Sequence, residues 1–99
     1  MAQMQKSYPQ SCVLLYNLAN DVVEMYKGQV MHDSTELFEF EIEMYGKKTP
    51  YRFSFTEQSE GSLLSIETPG EGNREEQRIS FMFSIVDNIL TQIEVIEGK

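Results

Sequence analysis

The chain has 99 residues, of which 40% are hydrophobic, 24% charged and 11% aromatic. That is enough for one domain with a buried core, and it excludes an intrinsically disordered chain. Sixteen acidic residues against eight basic ones leave a formal net charge of -8. This balance argues against direct binding to nucleic acid or to an anionic membrane surface.

The single cysteine, Cys12, rules out an internal disulfide and fits a reducing, cytoplasmic setting. The opening MAQMQKSYPQS has no apolar core and does not read as a signal peptide. No run of the sequence approaches the length of a membrane span.

Residues 1–6 read as a frayed start. Ser7 and Gln10 have capping-box spacing, with Pro9 in the first turn. Leu15, Leu18, Ala19, Val22, Met25 and Tyr26 form a helical stripe that stops at Gly28. The expectation is a helix over 8–27, then a connection over 28–35. Residues 36–45 alternate, with Phe38, Phe40, Ile42 and Met44 on one side and Glu39, Glu41 and Glu43 on the other. GKKTP (46–50) reads as a turn. YRFSFTE (51–57) alternates again, QSEG (58–61) turns, and SLLSIET (62–68) makes a third strand before the PGEGN break.

The last third admits two readings. A hairpin turning at Asp87-Asn88 would set Phe83 opposite Gln92 and Phe81 opposite Glu94, mixing an apolar face with a polar one. As a helix, Ile79, Met82, Val86, Ile89, Ile93 and Ile96 fall at 3-4-3-4-3 spacing, with Asn73 as cap and Glu75 and Glu76 in the first turn. A helix over about 74–96 is the more coherent reading. The expected class is therefore α+β: a single two-layer α-β-β-β-α domain, with a three-stranded antiparallel meander and both helices on its phenylalanine face. The glutamates then face water.

The glutamate row repeats about every 7 Å along the strand. It is a candidate landing surface for a basic protein, in the extreme case as a nucleic-acid mimic, or simply a solvated face. The second helix is apolar on most of its circumference, since Phe81, Phe83, Ile85 and Leu90 add to the stripe. The surplus packs against the first helix or forms a dimer or partner surface, with Phe81 and Ile85 as anchors. His32 and Asp33 are a start toward a metal site or proton relay, but no second histidine or cysteine cluster completes it. Cys12 reads as an inert buried thiol. PGEGN lacks the phosphate-loop pattern. Lys47, Lys48 and Arg52 form the one basic spot, read as a solvated turn.

The sequence-based expectation is a non-enzymatic acidic protein-binding module without metal or cofactor: a small inhibitor, immunity protein or adaptor. Its partner would be a basic protein, met by Glu39, Glu41, Glu43, Phe81 and Ile85. The element order and acidic charge occur among small secretion chaperones, immunity proteins and phage-encoded inhibitors, an analogy at the level of fold. The alternatives are a structural homodimer joined through the 79–93 helix, a secretion-type chaperone, or a small-molecule binder or enzyme built around His32 and Asp33.

Overall fold

The computed structural model describes residues 2–34, 36–44, 46–70 and 72–98, without the side chains of residues 44 and 94–98. Its elements are β1 (Ala2–Tyr8), α1 (Cys12–Tyr26), β2 (Gln29–Asp33), β3 (Leu37–Met44), β4 (Lys47–Gln58), β5 (Gly61–Thr68) and α2 (Asn73–Gly98). The five strands form one antiparallel sheet in the order β1-β5-β4-β3-β2. The α+β class and the meander of β3, β4 and β5 agree with expectation. The three-strand count does not, because β1 and β2 add one edge each.

Both missed strands are edges, and their composition hides them. The inward side of β1 carries Ala2, Met4, Lys6 and Tyr8, of which only Ala2 and Tyr8 are buried. An edge strand that carries a lysine shows no apolar alternation. The expected frayed start is therefore a strand in register with β5 from Ala2 to Tyr8. β2 has only five residues, all exposed, and its pairing with β3 is irregular between Val30 and His32. A short bulged strand of this kind reads as a loop in sequence.

The first helix starts later than Ser7 and Gln10 suggested. Ser11 is its cap, and its Oγ accepts the N–H of Leu14 at 3.2 Å. At the other end Lys27, not Gly28, takes the left-handed position (φ 55), and its N–H reaches the carbonyl of Glu24. Gly28 has a different use: a Cβ there would stand 3.0 Å from the Phe40 ring and 3.2 Å from the Glu41 carbonyl.

Of GKKTP only Gly46 belongs to the turn; residues 47–50 are already strand. The register pairs Met44 with Lys47, and β4 runs straight through Pro50. Proline is tolerated because pairing between β4 and β5 begins only at Arg52, opposite Glu67. The carbonyl of Pro50 instead accepts the Thr68 hydroxyl at 2.8 Å.

The helical reading of the last third holds. α2 starts at Asn73 itself, and Gly72 stands at the cap position, its carbonyl accepting the N–H of Glu76 at 3.2 Å. Ile79, Met82 and Val86 are buried, and Ile89 and Ile93 pack partly against the core. The expected stripe position Ile96 lies outside the described side chains. β-branched and aromatic residues form a helix here because tertiary packing of one wide face outweighs their weak propensity.

The core lies between the sheet and both helices. Phe38, Phe40, Tyr51, Phe53, Leu64 and Ile66 rise from the sheet and meet Leu15, Val22, Ile79, Met82 and Val86. Phe40 packs against Phe38, Phe53 and Tyr51 with ring centroids 5.4–6.0 Å apart. α1 begins at the Ser62 end of β5, where the Cys12 thiol hydrogen-bonds Ser62 Oγ at 3.2 Å. α2 begins past the Thr68 end, so the two helices run antiparallel. No helix among the described residues is long and apolar enough to cross a membrane.

Candidate functional site

With both helices on the phenylalanine face, the other face of the sheet is left bare. Strand alternation puts Glu39, Glu41 and Glu43 there together, as the sequence suggested. The register then decides what each one meets. Glu39 lies opposite Arg52, Glu41 opposite Pro50 and Glu43 opposite Lys48. Across β5, Arg52 also faces Glu67.

Arg52 therefore sits between two carboxylates. Its Nη2 is 3.0 Å from Glu39 Oε2, and its Nη1 is 3.5 Å from Glu67 Oε1. The hydrogen bond from Arg52 Nε to Glu39 (3.0 Å) holds the guanidinium charged, pushing its pKa above the ordinary value. Pro50, Thr68 and Pro69 complete a shallow dent of about 220 Å³ around this triad. Glu41 is different. Its two cross-strand neighbours are Gln29 and Pro50, neither of them a cation. The row is thus one carboxylate bound by arginine, one set against lysine, and one half-buried between uncharged cross-strand neighbours, in a small pocket that Lys27 and Lys48 also line.

Lys47, Lys48 and Arg52, expected as a solvated basic turn, are strand residues. Two of them, Lys48 and Arg52, stand opposite carboxylates, which explains much of the basic block between two acidic ones. This pairing was latent in the sequence as alternation on two neighbouring strands, but the register had to be known to assign it.

The anchors expected on the second helix part company. Ile85 is 6% exposed and lies in the core, so its side chain is spent within the chain. Phe81 is 56% exposed and touches the Tyr26 ring edge-on, with centroids 6.5 Å apart. The surplus apolar circumference of α2 is taken up mainly inside the fold, where Phe83, Ile85 and Leu90 are all buried.

His32 and Asp33 stand on β2 and not in a loop. His32 pairs with Glu39 across the strands and is exposed. Asp33 Oδ1 accepts the hydroxyl of Tyr16 on α1, and this bond pushes the Tyr16 phenol pKa up. The contact ties the edge strand to the helix. Among the described residues, no group of three or more His, Cys, Asp or Glu side chains is placed to hold a metal ion. Cys12 is half-buried at the start of α1 rather than fully enclosed.

Two polar links missed in sequence hold α2 to the sheet. Asp87, the hairpin turn of the discarded reading, points from α2 to β1. It accepts Lys6 Nζ at 2.7 Å and the Tyr8 hydroxyl at 2.9 Å. Arg78 Nη1 donates to the Tyr51 hydroxyl at 2.8 Å. No protein-family model matches this sequence, and no curated protein is significantly similar to it.

Proposed function

We propose that this protein is a non-enzymatic binding module whose bare sheet face receives a basic protein partner. The observation that carries the reading is the one-sided layering. Both helices cover one face, and the other presents Glu39, Glu41 and Glu43 on β3 and Glu67 on β5, the two strands that flank β4. Charges arranged on an open face steer encounter with a partner of opposite sign and set the register of docking. The internal cations temper the row, since Arg52 and Lys48 stand in it. That supports steering by a mixed surface, and gives little to nucleic-acid mimicry, which needs an unbroken run of anions. Inhibitor, immunity protein and adaptor all use a surface of this kind.

A second reading is a structural homodimer through the 79–93 helix. Its support is the exposed Phe81, which among the described residues is the one large apolar side chain of α2 classed as exposed. Burial of Ile85 removes the second of its expected anchors.

The test compares wild type with a Glu39→Gln, Glu41→Gln, Glu43→Gln triple variant, both immobilised and exposed to native lysate over a salt series. A basic protein held by wild type at low salt, released at high salt and lost from the variant is the expected result. Identical retention by both proteins at every salt concentration rules the glutamate face out.

A further inference from the structure

The sheet has two edges, and they differ. The outer edge of β2 is interrupted by the irregularity between Val30 and His32. Such a bulge spoils the even row of peptide groups that a further strand would need. β1 has no such guard. Its register with β5 is unbroken over seven residues, and it contains no proline. Its one lysine, the usual protection of an exposed edge, is turned inward onto Asp87. The N–H of Ala2 is donated on the β5 side, to the carbonyl of Gly70 at 3.0 Å. Alternation along the strand then points the peptide groups of Gln3, Gln5 and Ser7 away from the sheet.

We infer that β1 is a self-pairing edge, along which a second copy of this chain adds its own β1 antiparallel, about a twofold axis at Gln5. Charge selects the edge and excludes a register centred on Lys6, and full overlap of Ala2–Tyr8 with its copy puts the centre at Gln5. Two chains that each carry -8 must meet where like charges are not opposed. β1 is the one strand with no acidic residue. Centring the pair on Gln5 sets Gln3 against the partner's Ser7 and Met4 against the partner's Lys6. Centring it on Lys6 would set two ammonium groups face to face. In the Gln5 register, the outward peptide groups of Gln3, Gln5 and Ser7 are the ones that exchange hydrogen bonds.

The inner side of the edge offers a place for the incoming lysine. An open groove of about 460 Å³ runs beside β1 and is lined by Gln3, Met4, Asn73, Glu76, Gln77 and Ser80. The partner's Lys6 stands opposite Met4, at the mouth of this groove, with its ammonium kept on its own Asp87. The methylene stem of that lysine covers Met4, which is 39% exposed. The twofold axis makes each such contact twice.

Gln5 is exposed and remote from the core, so charge placed there leaves the fold alone. Gln5→Lys and Gln5→Glu would each oppose a like charge across the axis, about 5.5 Å apart at Cα. The assay is solution mass by sedimentation or light scattering, from micromolar to near-millimolar protein, with circular dichroism to confirm folding. Wild type should pass from one chain of 11.5 kDa toward twice that mass. Each variant alone should stay at one chain, and an equimolar mixture of the two should dimerise again. Phe81→Ala should leave the wild-type dimer intact. A wild type that stays at one chain throughout, a Gln5→Lys protein that dimerises like wild type, or a mixture that stays monomeric would each overturn the inference.

Discussion

Replacing Asp87 tests how β1 is tied to the rest of the fold. Asp87→Ala removes the acceptor of two bonds at once, the ammonium of Lys6 at 2.7 Å and the hydroxyl of Tyr8 at 2.9 Å. The ion pair is exposed, with side-chain accessibilities of 49% and 39%, and contributes about 0–1 kcal/mol. Tyr8 is 5% exposed, and its hydroxyl would be left without a partner near the sheet–helix junction, at a cost of about 1–3 kcal/mol. Alanine recovers about 0.5 kcal/mol through helix propensity. The net expectation is a loss of about 1–3 kcal/mol, or several degrees in Tm for a domain of this size. Urea unfolding followed by circular dichroism reads it, with the slope m unchanged. Two companions apportion the loss. Lys6→Ala should cost less than about 1 kcal/mol, since it removes the exposed pair alone. Asp87→Asn keeps an acceptor for Tyr8 and should retain most of the stability. If Asp87→Ala cost no more than Lys6→Ala, the Tyr8 bond would not be holding β1 to α2.

Gly61, at φ 128, begins β5, and a Cβ there would fall 2.0 Å from the Tyr8 carbonyl. Gly61→Ala should therefore lose at least about 2 kcal/mol, from backbone strain alone or with displacement of β1, and amide exchange along β1 would report the displacement. Phe53→Ala, at a fully buried position opposite Phe38 and against the Phe40 ring, should cost about 3–5 kcal/mol in the same urea assay. Burial raises the phenol pKa values of Tyr8, Tyr26 and Tyr51 above the ordinary value of 10.0. A raised folded pKa means that the folded state holds its proton longer than the unfolded chain. That stability is complete below about pH 10 and is lost as pH rises further. The urea midpoint should hold from pH 8 to pH 9.5 and fall above pH 10, with a smaller fall in Tyr8→Phe; an unchanged midpoint at pH 11 would count against it. Glu41, between Gln29 and Pro50, and Glu39, bonded to Arg52, should respond differently to neutralisation. Glu41→Gln should leave thermal stability unchanged or raise it, whereas Glu39→Gln should lower it, and both shifts should shrink in high salt.

By itself the sequence determined the elements whose apolar period is strong. The Phe38-Phe40-Ile42 alternation and the Ile79-Met82-Val86 spacing each admit one structure that buries them, so β3 and α2 were legible, and with them the one-sided layering. The sequence also determined that three glutamates share a face. Only the tertiary structure decided what they meet there. Cross-strand partners depend on register, and register is set by turns whose residues Gly46 and Gly61 mark a bend without stating its length. Tertiary structure likewise decided the fate of Ile85. A helix that is apolar on most of its circumference does not say which side faces a neighbour, and antiparallel α1 took that side. The edge strands β1 and β2 were hidden for the same reason. β1 buries only Ala2 and Tyr8, β2 buries nothing, and each pairs on one side only, so hydrogen bonding to an existing sheet, which has no signature in composition, supplies what their sequences lack.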